Sequence, residues 1–358
     1  MREGTETFVL AGGGTGGHVF PAIAIARAIR RRRPDARVLF VGTSRGFEAV
    51  IAPREGFPIE FIAASGFVGR GWTAKARAIS DLARGIVQSR RLLRREKASA
   101  VVGVGGYASL PVLAAARLCG VPSIIQEQNS VPGVANRIGA RLAGAAAAGF
   151  EEACARLPGR CVWTGNPVRE EFFRVPPLEN PGRRVLLFGG SQGARVLNRA
   201  LVEAAPRLAA SGVEVLAQTG EREEPAVRGA VAGRGIEVVA FLPDIWNAMA
   251  RADLVVCRAG ALTLAELCAA GRPSLLVPFA AATHGHQEMN ARALERVGGA
   301  VSVAESELTG DVLAERIEGL LADPARLVRM GEAARSLARP GADDRIVDLL
   351  FEVAGVAA

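Results

Sequence analysis

Three glycine-rich stretches hold the residues best suited to chemistry. They are GGGTGGH (Gly12–His18), GVGGYAS (Gly103–Ser109) and GGSQGAR (Gly189–Arg195). Each follows a β-branched apolar run and precedes a helical stretch. A strand–turn–helix junction gathers unpaired backbone N–H groups at the positive end of a helix dipole, and glycine lets that backbone approach an anion closely. The chemistry indicated is phosphate binding. One such loop alone is usually a tight turn. Three, all at the C-terminal ends of strands, fall where open α/β sheets bind ligands.

Gly12, Gly14 and Gly17 also fit the dinucleotide fingerprint G-x-G-x-x-G. That reading needs an acidic residue about 20 positions on, at the end of the second strand, to hold a ribose. The second strand ends VLFVGTSRG, Val38–Gly46; Asp35 precedes it, and no acidic residue follows before Glu48. No Gly-Lys-Ser/Thr follows the first or third loop, so neither is a P-loop.

The elements that must position these loops alternate in type. TFVLA, ARVLFVG, PIEFIAA, AVVGVGG, SIIQEQ and the weaker CVWTG read as strands of a first half. RRVLLFGG, VEVLAQTG, IEVVAFL, DLVVCRAG, PSLLVPF and AVSVA read as strands of a second. Near-continuous apolar strands separated by helices imply parallel sheets covered on both faces. A chain of 358 residues exceeds a single core, which seldom grows past roughly 250–300 residues. The expected fold is α/β, with two Rossmann-like doubly wound domains. The Pro-, Gly- and charge-rich GNPVREEFFRVPPLENPGRR marks the boundary, giving domains 1–164 and 165–340. A last helix near 341–358, after Arg339-Pro340-Gly341, is expected to pack back on the first domain.

Composition excludes several classes. The chain is 49% hydrophobic, with charge spread throughout, which is not the composition of a disordered protein. No apolar run reaches the roughly 18–20 residues of a membrane span. The N-terminus lacks a signal peptide's apolar region, so a cytoplasmic location is expected. Cys119, Cys154, Cys161, Cys257 and Cys268 are scattered and show no metal-ligand spacing, so all five are expected as free thiols. His284 and His286 form H-x-H without a third ligand nearby, and no D-x-D motif occurs; no metal is expected. Charge is uneven, +12 over residues 1–164 and −4 over the remainder. A basic first half suits an anionic partner.

The stretches GGTGGHVFPA, VGVGGYAS, QEQNSVPGVANR, GNPVR, GGSQGAR, CRAGALTLAEL and HQEMNA, in this order from residue 8 to about residue 292, resemble the MurG family of bacterial peptidoglycan glycosyltransferases. The resemblance implies a GT-B fold with a cleft between its domains and an inverting mechanism without a cofactor. It implies UDP-GlcNAc as donor and undecaprenyl-diphosphate-MurNAc-pentapeptide (lipid I) as acceptor. Residues 165–340 then form the donor domain, and residues 1–164 the acceptor and membrane-facing domain. The location implied is the cytoplasmic face of the bacterial membrane, as a peripheral protein.

By that resemblance Ser191 meets the donor diphosphate. So do the backbone and Thr263 of Ala261, Leu262, Thr263, Leu264 and Ala265, while Glu266 accepts from the ribose. The backbone of Leu242 meets the uracil, and Arg169 is a further donor contact. Gln287, Asn290 and Asn129 hold the transferred sugar. Thr15, Gly16, Gly17 and His18, with Gly105, Gly106 and Tyr107, cradle the acceptor diphosphate and muramoyl sugar; Thr15, Gly16 and Gly17 also border the donor. The sequence carries Thr283-His284-Gly285 where the family often has acidic residues.

Inverting transfer needs a base for the acceptor 4-hydroxyl and stabilisation of the departing UDP. His18, a residue type that titrates near neutrality, is the first candidate base; its alternative is to bond the acceptor diphosphate. Glu127 is the second candidate, or a group that orients others. Between Gly66 and Lys97, a basic amphipathic stretch suits an anionic membrane surface, with Phe67, Trp72, Lys75, Ile79 and Leu82 as its contacts. An ordinary helix with its stripe on the core is the competing reading. The basic run lacks interleaved aromatics, so nucleic acid is not an expected partner. The alternative functions are other sugar-nucleotide enzymes of this fold, a UDP-GlcNAc 2-epimerase or a diacylglycerol glycosyltransferase.

Overall fold

The structure is a computed structural model that describes residues 6–65, 72–190, 193–280, 282 and 285–356, with residues 72–77 described by their backbone alone. The chain divides into two compact units: Met1–Pro167 with Gly341–Ala358, and Val168–Pro340.

Among the described residues, the first unit holds seven strands: β1 (Thr7–Gly12), β2 (Arg37–Gly42), β3 (Ile59–Phe61), β4 (Ala100–Gly105), β5 (Ser123–Glu127), β6 (Ala145–Ala148) and β7 (Cys161–Trp163). Their order is β3-β2-β1-β4-β5-β6-β7, every pair parallel. All residues of β1, β4, β5 and β6 are buried, as a sheet covered on both faces requires. The strand β6 was not among those expected. Its sequence is AAAA, which has little β propensity of its own and forms a strand here through burial between neighbours.

The second unit holds β8 (Arg184–Phe188), β9 (Glu214–Gln218), β10 (Ile236–Val239), β11 (Leu254–Cys257), β12 (Ser274–Leu276) and β13 (Ala300–Ser302). Their order is β10-β9-β8-β11-β12-β13, again all parallel. In each sheet the strand order reverses direction at one place, between β1 and β4 and between β8 and β11. Ligands of doubly wound sheets bind at the C-terminal edge beside that reversal. The first and second glycine loops follow β1 and β4; the third follows β8, and CRAG follows β11.

The helix Ala342–Ala354 closes the first unit's core. Phe351 packs on Phe8 of β1 with ring centroids 5.5 Å apart, and Ile346, Val347 and Leu350 are wholly buried. Its rim is fastened by Arg31 to Asp343 and Asp344, by Arg32 to Asp348, and by the two-pronged Arg160–Glu352 pair.

The expectation of five free cysteines is corrected. Cys154 and Cys161 are disulfide-bonded, while Cys119, Cys257 and Cys268 are free. The turn between the helix Glu151–Cys154 and β7 folds back and brings the two Cα atoms to 5.3 Å, within bridging range. A spacing of seven residues carries no such signal in the sequence.

Candidate active site

The first two glycine loops are locked together. β1 and β4 run in register from Phe8↔Ala100 to Ala11↔Gly103, then shift so that Gly12 faces Gly105. Gly13 N–H donates to Gly105 O at 3.2 Å. A Cβ at Gly106, whose φ is +78°, would collide with the Gly13 carbonyl. Only glycine permits this approach. His18 is half-buried, its Nδ1 lying 3.1 Å from Gly13 O and 3.4 Å from Thr15 Oγ1. A Cβ on Gly105 would stand 3.0 Å from His18 Nε2, so the ring rests on the second loop.

The helix Gly16–Arg32 starts at Thr15 without a side-chain cap and without an acidic residue in its first turn. Its N-terminal dipole is therefore not offset by a carboxylate of its own, while Arg30, Arg31 and Arg32 complement the other end. Gly14, Thr15 and Gly17 are exposed, as is Tyr107 at 61%. An exposed aromatic at a sheet's ligand edge suits a binding role better than a core one.

Glu127, at the end of β5, is 1% exposed and heavily bonded. It accepts from Asn129 N (2.8 Å), Asn129 Nδ2 (3.3 Å), Gly133 N (3.0 Å) and Asn136 Nδ2 (2.9 Å). Of its two proposed roles, this bonding supports the orienting one: the carboxylate shapes the turn that carries Asn129. Asn136, which the sequence reasoning did not single out, also donates to Gln126 O at 3.1 Å.

Glu48 is the other residue missed. It is 1% exposed, yet its carboxylate lies under the first glycine loop. Oε2 accepts from Gly14 N at 2.7 Å; Oε1 accepts from Thr43 N at 2.8 Å and Thr43 Oγ1 at 3.1 Å. A Cβ at Gly13, Gly42 or Gly46 would overlap this carboxylate, so three glycines leave it room. The signal was present as GTSRGFE, a glycine-flanked turn ending in an acid. Its distance from the second strand's end rules out only a ribose contact.

In the second unit, Gly193 N–H donates to Gly190 O at 2.9 Å, and a Cβ at Gly193 would overlap Thr219 O. Ser191 lies outside the described residues. The helix Ala261–Ala270 opens at Gly260 with no side-chain cap and no acid in its first turn. Ala261 and Leu264 are buried in the core, with Leu264 N–H donating to Gly260 O at 2.9 Å, whereas Leu262, Thr263, Ala265 and Glu266 keep part of their surface open. Burial pushes the Glu266 carboxyl up to about 7, with the Arg169 guanidinium opposing the rise. Arg169 itself is stacked 4.3 Å from the Trp246 ring centroid and 5.3 Å from that of Phe172.

Arg258 of CRAG donates to Val277 O at 3.1 Å and pairs with Glu305, whose other oxygen accepts from Ala280 N at 2.8 Å. Gln287 Oε1 accepts from Phe279 N at 2.9 Å. Asn290 is fully buried and donates to Ala259 O at 3.2 Å, so its amide braces the CRAG turn. Leu242 is half-buried beside the exposed Phe241. Among the described residues no group of three or more His, Cys, Asp or Glu could hold a metal ion.

The helix Trp72–Arg95 carries the expected apolar-and-basic pattern. Ala78, Leu92 and Leu93 face the core. Ile79 (62% exposed) and Val87 (50%), two turns apart, face outward with Arg84, Arg90, Arg91 and Arg94; Leu82 is half-buried. Phe67 lies outside the described residues, and the side chains of Trp72 and Lys75 are not described. No helix among the described residues is long and apolar enough to cross a membrane.

Two Rossmann-like domains in one chain, each with glycine loops beside its strand reversal, are the architecture of the GT-B class. Residues 8–148 match the glycosyltransferase family 28 N-terminal domain and residues 184–346 its C-terminal domain. A UDP-N-acetylglucosamine--N-acetylmuramyl-(pentapeptide) pyrophosphoryl-undecaprenol N-acetylglucosamine transferase of Anaeromyxobacter sp. (strain Fw109-5) is 45% identical, over 96% of this chain and 93% of that one. Its namesake in Syntrophotalea carbinolica is 43% identical, over 97% and 99%. The crystal structure of Acinetobacter baumannii MurG superposes with a TM-score of 0.80 at 31% identity, covering 98% of this chain and all of that one. The chain belongs to glycosyltransferase family 28 and, within it, to the MurG glycosyltransferases.

Proposed function

We propose that the protein transfers GlcNAc from UDP-GlcNAc to the 4-hydroxyl of MurNAc in undecaprenyl-diphosphate-MurNAc-pentapeptide, with inversion at the anomeric carbon. The observation that carries this reading is the 42–45% identity, over nearly the full chain, to transferases named for these substrates. Neither the epimerase nor the diacylglycerol alternative has such support.

The donor binds the second unit. Its diphosphate meets Ser191, the amides after Gly193, and the uncapped amides of the helix opening at Ala261. These helix dipoles meet the charge that grows on UDP as the glycosidic bond breaks. Glu266 accepts from the ribose, Arg169 lies beside it, the backbone of Leu242 meets the uracil, and Gln287 donates to the sugar. Asn129, held by Glu127, is a further contact to the transferred sugar, while Asn290 acts through the CRAG turn.

The acceptor diphosphate binds the interlocked loops through Thr15, Gly16, Gly17, Gly105 and Gly106, with Tyr107 against the muramoyl group. His18 takes the 4-hydroxyl proton. Its Nδ1 faces a carbonyl, and the lone pair of its neutral ring is on Nε2. The protein works on the cytoplasmic face of the membrane, meeting anionic lipid through Ile79, Leu82 and Val87 with the surrounding arginines. Phe67, Trp72 and Lys75 extend that contact.

Radiolabelled UDP-GlcNAc incubated with a short-chain lipid I analogue tests the reading, with UDP-GalNAc and UDP-glucose as control donors. Label should pass to the lipid fraction from UDP-GlcNAc alone. Equal transfer from all three, or release of free sugar only, would defeat it. His18→Ala should lower kcat at least about 100-fold, within the range of a lost general base, while leaving donor binding unchanged.

A further inference from the structure

The peptide unit joining Gly13 to Gly14 stands between a carboxylate and an imidazole. On one side Glu48 Oε2 accepts from the Gly14 N–H at 2.7 Å. On the other, the Gly13 C=O lies 3.1 Å from His18 Nδ1. A carbonyl oxygen only accepts, so this bond requires the proton on Nδ1 and puts the neutral ring's lone pair on Nε2. A carboxylate bonded to the N–H of an amide polarises that amide and makes its carbonyl a stronger acceptor, since successive hydrogen bonds reinforce one another.

We propose that Glu48 is a positioning residue for the transfer: through the Gly13–Gly14 peptide it holds His18 as the Nδ1–H tautomer, which puts the lone pair of the neutral ring on Nε2. This rests on the reading of His18 as the base. The arrangement has the logic of a carboxylate orienting a catalytic histidine, with one peptide group interposed.

The surroundings hold the carboxylate to this task. Its second oxygen is fixed by Thr43 N and Thr43 Oγ1, and the absent side chains of Gly13, Gly42 and Gly46 form its cavity. Aspartate would fall one methylene short of Gly14. Glutamine would turn an NH2 group toward either the Gly14 or the Thr43 N–H, donor against donor. Thr15 Oγ1 lies 3.4 Å from the same His18 nitrogen, too long to replace the carbonyl as the controlling partner.

The test uses the full-length protein labelled with 15N-histidine. It contains three histidines, and His18→Asn assigns the signal of His18. Long-range 1H–15N spectra read the tautomer directly. Wild type should show His18 protonated at Nδ1. Glu48→Gln should move part of the population to the Nε2–H tautomer. It should lower kcat about 10- to 100-fold, by analogy with the loss seen when a partner that orients a metal-ligating histidine is removed. KM for UDP-GlcNAc should stay within about twofold, because uniform donor binding is untouched.

Glu48→Asp keeps the charge but withdraws it from Gly14, and should give the same signature if Glu48→Gln does not fold; donor binding and circular dichroism establish folding. An unchanged His18 tautomer in whichever variant folds overturns the proposal, even if kcat falls. His18→Ala separates the two readings. If it loses kcat while the Glu48 variants leave the tautomer unmoved, the base reading stands and this inference fails. If it keeps kcat, the base reading fails and takes the catalytic role of Glu48 with it.

Discussion

Gly13 N–H donates to Gly105 O at 3.2 Å, joining the loop after β1 to the loop after β4 at the strand reversal of the first sheet. A carbonyl that a Cβ on Gly106 would strike lies at the same junction. Gly14 has a φ of +93° but open space around its Cβ position, whereas Gly106 has both a positive φ and a blocked one. Gly14→Ala should therefore cost only the left-handed penalty, about 1–2 kcal/mol. Gly106→Ala should separate the loops and raise the acceptor KM or abolish transfer. UDP-GlcNAc binding, measured by calorimetry, should be unchanged in both. Equal effects of the two substitutions on acceptor kinetics would contradict the interlock.

Glu127 is expected to behave as a brace. Alanine there strands the Gly133 N–H, the Asn129 N–H and the Asn136 amide, at about 1–3 kcal/mol for each group left buried and unpaired. Urea titration should show a loss of at least about 2 kcal/mol for Glu127→Ala, with kcat falling alongside. A general base would give the opposite pattern in Glu127→Gln: unchanged stability with transfer lost.

Glu266 sets a pH dependence. Its carboxyl is raised from 4.5 to about 7, burial acting first and Arg169 opposing. A raised carboxyl makes the ionised form the costly one in the folded state. That cost is absent below about 4.5, grows as pH rises toward 7, and is complete above it. Glu266→Gln should raise the Tm at pH 8 and leave it unchanged near pH 4.5. The ionised carboxylate is also the form that accepts from both ribose hydroxyls. UDP-GlcNAc affinity should rise up to about tenfold between pH 6 and 8 in wild type, following the ionised fraction, and stay flat in Glu266→Gln. A flat wild-type profile would remove Glu266 from the ribose.

The outer face of the helix Trp72–Arg95 predicts lipid-dependent binding. Each basic residue near an anionic surface contributes about 1 kcal/mol, or about fivefold. Replacing Arg84, Arg90, Arg91 and Arg94 by glutamine should reduce flotation with phosphatidylglycerol vesicles and leave binding to neutral vesicles little changed. Ile79→Glu should weaken both. Equal binding of wild type to the two vesicle types would remove the electrostatic part.

Much of this was legible in the sequence because the signals were local. Glycine loops directly after apolar strands mark the ligand edge of a parallel sheet, and all three loops lie there. A strand of four alanines was not legible: it has no β-branched residue, and only burial between β5 and β7 makes it a strand. Glu48 was visible but misjudged. An acid tested only as a ribose ligand gives no hint that it turns inward beneath a loop 34 residues earlier. Asn136 and the Cys154–Cys161 bridge were missed for the same reason, since both depend on how turns fold back. The acceptor proposed for this protein was legible only in the combination of motifs; phosphate-type loops alone admit many sugar-nucleotide enzymes.

Transfer makes one new glycosidic bond, which NMR of the purified product of UDP-GlcNAc and a lipid I analogue identifies. The donor sugar is α-linked to UDP, so inverting transfer predicts a β-configured GlcNAc attached to the muramoyl O4. An α-linkage, attachment at another hydroxyl, or recovery of free GlcNAc with the acceptor untouched would rule out inverting transfer to O4.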